Sequence, residues 1–384
     1  MKSRRGDVKV NIFLILVLIA LVVILFNISS KRKKADGKPP HRAADAAKLH
    51  KEKSPAQSHP KIQEDESQSK VIVESYPALK EVPYTSLAEG VVPRSLRDLS
   101  PDVIEAVKEK ISTIKPIPIN YLKLMNLLRN PESNPGEITS ITVTNPVFSA
   151  RLLRAVNSAY FNRPDKITSV GRAISLLGYN SVRALVLQET LNNVLPRERY
   201  GDADLYNKTW AHSAVVSVCS GHLGKNIFHF SEYELGTMGL LHDIGKYFIH
   251  ILKPVGEATT GSPFMVREEQ QYGINHACLG SLVANNWQLS DNIVKGIEYH
   301  HYPAFFPPNS IPEPYRKQAF VICLSDLICK ALGYSANDDE KLPIRNEYYE
   351  MFMMRPDLEE NVTPRLVKEI EKAHITVQSY IQAP

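Results

Sequence analysis

From residue 100 onward, apolar residues recur three and four positions apart and hardly ever at every second position. That spacing puts them on one face of an α-helix, not on one side of a strand. Val103, Ile104, Val107, Ile111 and Ile114 give a first helix, which Pro116 and Pro118 end. Residues 121–129 give a second, closed by the turn-rich Asn130-Pro-Glu-Ser-Asn-Pro-Gly136. A third is expected to begin at Asn145-Pro146, because asparagine caps free N–H groups and proline suits the first turn. It carries Phe148, Leu152, Leu153 and Val156. Thr168 is expected to open a fourth, with Val170, Ala173, Ile174 and Leu177 facing inward and Gly178 as its stop. Asn180 opens a fifth, carrying Val182, Leu185 and Val186. The fold class expected is all-α.

Before this body the chain has a different character. Residues 12–26 are an unbroken apolar run, and residues 10–28 as a helix would span about 29 Å, the thickness of a bilayer core. Asn27-Ile-Ser-Ser leads straight into Lys31-Arg-Lys-Lys34 with no small-residue cleavage site, so residues 1–30 are expected to be a retained transmembrane anchor. Lys2, Arg4, Arg5 and Lys9 precede the run, whereas Lys31, Arg32, Lys33, Lys34 and Lys38 follow it. The balance of positive charge leans toward a cytoplasmic folded domain on a single-pass membrane protein.

Residues 1–60 hold thirteen Lys/Arg against four Asp/Glu, which leaves 33 basic and 37 acidic residues for the rest. A body of that balance offers no basic surface for nucleic acid, so no nucleic-acid partner is expected. Residues 31–95 are rich in Lys, Glu, Gln, Ser, Pro and Ala and poor in large apolar residues, the composition of a disordered linker, with a short docking motif left open near residues 70–84. Cys219, Cys278, Cys323 and Cys329 form no Cys-x-x-Cys pair and sit among apolar residues, which suggests buried reduced thiols.

The chemistry-bearing residues come in the second half. His212 is expected early in a helix, in Trp210-Ala-His-Ser-Ala, His242-Asp243 lies in Gly239-Leu-Leu-His-Asp-Ile-Gly-Lys246, and His276 in Asn275-His-Ala-Cys-Leu-Gly280. His300-His301 closes the helix beginning near Ser290, and Asp326 follows Cys323-Leu-Ser. One histidine on an apolar face is usually a core residue. Five imidazoles and two carboxylates on successive helices suit one or two divalent ions, Fe, Mn or Zn, as cofactor. His222, His229, His250 and His374 lack such partners and read as ordinary core or surface residues.

Several stretches resemble the HDOD family, relatives of the HD-domain phosphohydrolases. They are the entry Lys115-Pro-Ile-Pro118, the helix Phe148-Ser-Ala-Arg-Leu-Leu-Arg-Ala-Val-Asn-Ser-Ala-Tyr-Phe161, and Ile167-Thr-Ser-Val-Gly-Arg-Ala-Ile-Ser-Leu-Leu-Gly178. Asn145-Pro146 stands where the family usually has Asp-Pro. The resemblance implies an HDOD-like domain over residues 96–335, with an N-terminal helical half at 96–200 and an HD-like half at 201–335. A helical extension at 336–384 follows, in which Thr363-Pro364 caps a last helix carrying Leu366, Val367, Ile370, Val377 and Tyr380.

The order of the histidines and aspartates is similar to that of binuclear HD-superfamily sites. By that resemblance His212, His242, Asp243 and Asp326 would hold one ion, and Asp243, His276, His300 and His301 the second. Asp243 and Lys246 would serve catalysis, Lys246 facing a substrate phosphate. After His301 the chain reads Tyr302-Pro-Ala-Phe-Phe-Pro-Pro308, without the acidic, glycine-rich stretch of HD-GYP phosphodiesterases. The resemblance therefore implies first a membrane-anchored signal-transduction module acting through protein partners. The alternative is a metal-dependent phosphohydrolase of nucleotides or cyclic dinucleotides. A nucleotide ligand held without hydrolysis and a homo-oligomer are left open.

Overall fold

The computed structural model of the chain describes residue 79 and residues 92–115, 117–130, 132–157, 166–194, 203–258, 262–336 and 341–381. The expected anchor at residues 10–28 lies outside them. Among the described residues there is no strand, and no helix is long and apolar enough to cross a membrane.

Caps set most of the helix boundaries in the first half. The Ser100 hydroxyl accepts from the Val103 N–H and opens α1 (Pro101–Ser112), followed by α2 (Ile119–Arg129). Asn134 Oδ1 accepts from the Gly136 N–H at 2.8 Å and opens α3 (Pro135–Val143), a helix absent from the sequence expectation. Asn145 Oδ1 accepts from the Phe148 N–H at 3.0 Å and starts α4 (Pro146–Val156), as its cap-and-proline pair requires. The next helix, α5 (Val170–Leu177), is capped by Ser169, one residue beyond Thr168, and stops at Gly178, whose φ of 81° favours a residue without Cβ. Helix α6 (Tyr179–Val194) is buried at every position from 181 to 191, so it runs through the interior.

The second half is built on α7 (Ala203–Asn226), 24 residues long, with α8 (Glu232–Leu241) folded back along it. Ser217 Oγ donates to the Gly236 carbonyl at 2.7 Å and Ser220 Oγ to the Leu235 carbonyl at 3.0 Å. A Cβ on Gly239 would stand 2.8 Å from the Val216 carbonyl oxygen, so only glycine lets these two helices approach this closely. The chain continues through α9 (Ile244–Phe248), α10 (Phe264–Tyr272), α11 (His276–Asn286), α12 (Asp291–Tyr299), α13 (Tyr302–Phe305) and α14 (Glu313–Ala331). A short α15 (Asn346–Met351) leads to α16 (Pro364–Ile381). The Thr363 hydroxyl accepts from the Leu366 N–H at 3.2 Å.

Helix α16 packs on α7 and also on α4 and α6, so it joins the two halves. Leu366, Val367, Ile370, Val377 and Tyr380 are all buried in one apolar cluster with Phe148, Leu185, Trp210 and Ile322. The Tyr380 hydroxyl donates to Glu189 Oε2 at 2.8 Å, and Arg151 Nη1 donates to the same oxygen at 3.0 Å. All four cysteines are free and buried.

Within the expected linker at residues 31–95 the structure describes residue 79, in the window left open for a docking motif, and residues 92–95, where the expectation of disorder needs correction. Leu79 is 2% exposed and belongs to the main core cluster. Residues 92–95 lie on the body: the Arg94 N–H donates to Glu269 Oε1 at 2.7 Å, and Asn275 Nδ2 donates to the Arg94 carbonyl at 3.0 Å. A buried leucine side chain and specific backbone hydrogen bonds offset the ordering entropy that the local composition alone could not.

Candidate metal centre

The helices place all seven predicted ligands in one interior cluster. His212 is the tenth residue of α7, in mid-helix and not near its start. His242 ends α8, Asp243 precedes α9, His276 begins α11, His300 and His301 follow α12, and Asp326 lies on α14. Each is between 0% and 7% exposed. Gly245 makes the close approach of α9 to α11 feasible, because a Cβ there would run into the His276 carbonyl.

Asp243 is the hub. Its Oδ1 lies 3.3 Å from His276 Nε2 and 3.9 Å from His300 Nε2. Its Oδ2 lies 3.3 Å from His242 Nε2 and 3.9 Å from His212 Nε2. His276 Nε2 is 3.1 Å from His301 Nε2, and His212 Nε2 is 2.9 Å from Asp326 Oδ1. Ligand atoms of Asp243, His276, His300 and His301 converge on one point, and those of His212, His242 and Asp243 on another. The first group is the four-residue set expected for one ion. The second contains three of the four expected for the other, with Asp326 reaching it through His212.

The outer hydrogen bonds fix which nitrogens face inward. Nδ1 of His212 lies 2.7 Å from the Tyr334 carbonyl, Nδ1 of His242 2.7 Å from the Gly239 carbonyl, and Nδ1 of His300 2.7 Å from the Ile297 carbonyl. A carbonyl only accepts, so each Nδ1 donates to it and each ring turns its Nε2 toward the centre. His276 Nδ1 likewise donates to Glu268 Oε2 at 2.6 Å. With no proton on Nε2, the form that ligation requires, the centre is lined by acceptors that face acceptors. His212 Nε2, His300 Nε2, Asp243 Oδ1 and Asp326 Oδ1 are buried with no hydrogen-bond donor.

Such orphaned atoms cost about 1–3 kcal/mol each, and a cation among them removes the cost. Two ligand atoms about 2.1 Å from one ion stand roughly 3.0–3.4 Å apart at octahedral or tetrahedral angles, a range that holds the 3.3 Å contacts of Asp243 with His276 and His242 and the 3.1 Å contact of His276 with His301. The residues fit one or two divalent ions.

Charge is balanced by two lysines. Lys246 Nζ lies 2.9 Å from Asp243 Oδ2 and sits over the Phe264 ring at 5.1 Å; Lys330 Nζ donates to Asp326 Oδ2 at 2.9 Å. Burial alone would raise the Asp243 carboxyl, yet the His242 and Lys246 charges hold it well below the usual carboxylate range. Burial likewise opposes ionisation of Asp326, and Lys330 with His212 outweighs it. Burial, aided by the other imidazoles, holds His300 and His301 well below an ordinary histidine, which keeps them neutral as ligation requires.

Two acidic residues of α10 were not legible beforehand. Glu268 holds His276 by its backbone N–H at 2.8 Å as well as by Nδ1, and Glu269 Oε1 accepts from Asn275 Nδ2 at 2.6 Å. In sequence they are two charges in the polar stretch Arg267-Glu-Glu-Gln-Gln271, and no spacing rule ties them to His276. Of the histidines set aside as ordinary, His222 Nδ1 lies 3.4 Å from Glu369 Oε2 on α16, away from the centre.

The body is all-helical among its described residues and carries a buried His/Asp cluster on its second half. The HDOD domain family matches residues 114–303, so the chain carries an HDOD domain. Its fold is similar to that of a candidate phosphohydrolase from Shewanella amazonensis SB2B, with TM-score 0.52 and 23% identity over 72% of this chain and 98% of that one. It is also similar to a candidate signal transduction protein from Marinobacter aquaeolei VT8, with TM-score 0.53 and 17% identity over 84% of this chain and 68% of that one. At these identities the likeness shows the fold. An uncharacterized protein of Treponema pallidum (strain Nichols) is 20% identical over 225 residues, which span 56% of this chain and 43% of that protein.

Proposed function

We propose that this protein is a metal-binding HDOD signalling module, tethered to a membrane by residues 10–28 with its folded part in the cytoplasm, and acting through protein partners. The observation that carries the metal is the convergence of buried Nε2 and carboxylate acceptors on Asp243. The observation that favours signalling over turnover is closure: the seven ligand side chains are at most 7% exposed, and Phe264 with Lys246 stands against them. An ion held there stabilises the packing of α7, α8, α9, α11, α12 and α14 around it and so sets the shape of the module. The similarity to a candidate signal transduction protein is in keeping with this reading.

The second reading is a metal-dependent phosphohydrolase, and one observation favours it. Lys246 places a cation 2.9 Å from the carboxylate that both ligand groups share. Bound divalent ions would supply a water of lowered pKa and neutralise charge developing on phosphorus. Asp243 would hold the two ligand groups together, and Lys246 would leave it for the phosphate.

Metal content of the full chain, purified in detergent without chelator, tests the first step. One or two ions per chain, lost in Asp243→Ala, are expected; no ion in either protein after loading with Mn, Fe or Zn sinks the metal reading. Hydrolysis of a phosphodiester by the loaded wild type, lost in Lys246→Ala, would favour the enzyme over the module.

A further inference from the structure

The segment just before the helical body, residues 92–98, lies as a strap against the elements that carry three of the ligands. Its attachment begins at Arg94. The Arg94 N–H donates to Glu269 Oε1 at 2.7 Å, and the Arg94 carbonyl accepts from Asn275 Nδ2 at 3.0 Å. Asn275 is the cap of α11, its Oδ1 accepting from the Cys278 N–H at 2.9 Å, and the next residue is the ligand His276. On the same helix as Glu269, the adjacent Glu268 grips His276 by two hydrogen bonds.

A second contact lies further along. Ser95, Arg97 and Asp98 line a cavity of about 170 Å³ together with Glu298, Tyr299 and Tyr302. Tyr299 and Tyr302 are the immediate neighbours of His300 and His301. Ser95 and Asp98 stiffen this part of the strap, the Ser95 N–H donating to Asp98 Oδ2 at 2.8 Å. All three histidines of the group around Asp243 thus follow or precede a residue that bonds to the strap or faces it across this cavity.

We infer that strap docking and ion binding at Asp243, His276, His300 and His301 are thermodynamically coupled, with the Glu268–Glu269 pair as the link. This rests on the metal reading above. Helix α10 cannot shift Glu268 off His276 without moving Glu269 off Arg94, since the two carboxylates are successive residues of one short helix. A docked strap therefore holds the ligand set in its binding geometry, and a bound ion holds the strap. The coupling is reciprocal, because each event favours the same arrangement. It gives the chain preceding residue 92 a mechanical route to the centre: pull on the strap loosens the ion, and loss of the ion frees the strap.

The test uses the full chain in detergent with Zn²⁺ as probe. Zinc affinity is read by competition with a chelating fluorophore, and exchange of the backbone amides of residues 92–98 by mass spectrometry with and without zinc. Arg94→Pro deletes the donor N–H and leaves every ligand in place. Glu269→Ala deletes the acceptor, and Glu269→Gln restores an oxygen that still accepts. We expect zinc affinity on the order of five-fold lower in Arg94→Pro and Glu269→Ala, close to wild type in Glu269→Gln, and slower exchange at residues 92–98 when zinc is bound. Wild-type affinity in Arg94→Pro, or strap exchange indifferent to zinc, overturns the coupling. A wild type that binds no zinc overturns the metal reading beneath it, which is a distinct result. Should Glu269→Ala unfold by circular dichroism, Arg94→Pro, changed only at an exposed residue, carries the measurement.

Discussion

Glu268 holds His276 twice with one oxygen, accepting from the backbone N–H at 2.8 Å and from Nδ1 at 2.6 Å. The first bond fixes where α11 begins and the second fixes the ring's tautomer, so that Nε2 faces Asp243. An outer carboxylate of this kind orients a ligand and raises its basicity. Glu268→Ala is expected to weaken metal binding about 10–100-fold while the helical content stays near wild type. Equal metal affinity in the variant and the wild type, measured by competition titration, would remove Glu268 from this role.

Metal removal should be felt as stability. The orphaned acceptors around Asp243 repel one another when no cation lies among them. An ion at a hundred times its dissociation constant adds about 2.7 kcal/mol to the folded state. The melting temperature is expected to rise on adding Mn²⁺ or Zn²⁺ and to fall with chelator. In Asp243→Ala both changes should vanish, since both ligand groups lose their shared member.

Gly245→Ala tests the backbone approach that sets the centre. The added Cβ meets the His276 carbonyl and comes within 2.7 Å of the Gly280 nitrogen, and both obstacles are backbone. Overpacking of this sort costs about 1–3 kcal/mol or more. A lowered urea midpoint together with lost metal binding is expected. An unchanged midpoint would mean that α9 and α11 separate without penalty.

The C-terminal helix is expected to be structural. Ile370→Ala, at a fully buried position of α16, should cost about 2–5 kcal/mol, and Tyr380→Phe about 1 kcal/mol because Glu189 keeps its bond from Arg151. Urea denaturation measures both. An Ile370→Ala protein as stable as wild type would contradict a core role for this stripe.

The cysteines supply a simple probe of the fold. Burial pushes the Cys278, Cys323 and Cys329 thiols well above their ordinary range, and all four side chains are shielded from solvent. Iodoacetamide at mildly alkaline pH is expected to leave the native chain unmodified and to alkylate four thiols in denaturant. Rapid native alkylation would contradict the packing described for α7, α11 and α14.

Much of this architecture was legible because caps and apolar spacing act locally. Asn145-Pro146 starts a helix for the same reason in any context, and Gly178 stops one by adopting a positive φ. Helix α3 was hidden because Ile138-Thr-Ser-Ile-Thr-Val143 is rich in β-branched residues that favour strands. Tertiary burial of Ile138 overrides that preference, and Thr139 and Thr142 return their hydroxyls to carbonyls four residues back. The histidines and aspartates that the fold gathers into one cluster were readable by their order along the chain. Glu268, Glu269 and the strap were not, because their meaning depends on α10 lying beside α11, which no local pattern encodes.

The bond between Tyr380 and Glu189 joins residues 191 positions apart. Closing so long a stretch carries an entropic cost before any contact is made, and contacts this distant slow folding. Helices α4 and α6 find part of their cover only when α16 arrives, after every residue of the half that carries the His/Asp cluster has been laid down. Maturation of the first half therefore waits on the second, and until then an apolar face stays open to wrong pairings. A lesion anywhere between them would be read out at both ends of the fold.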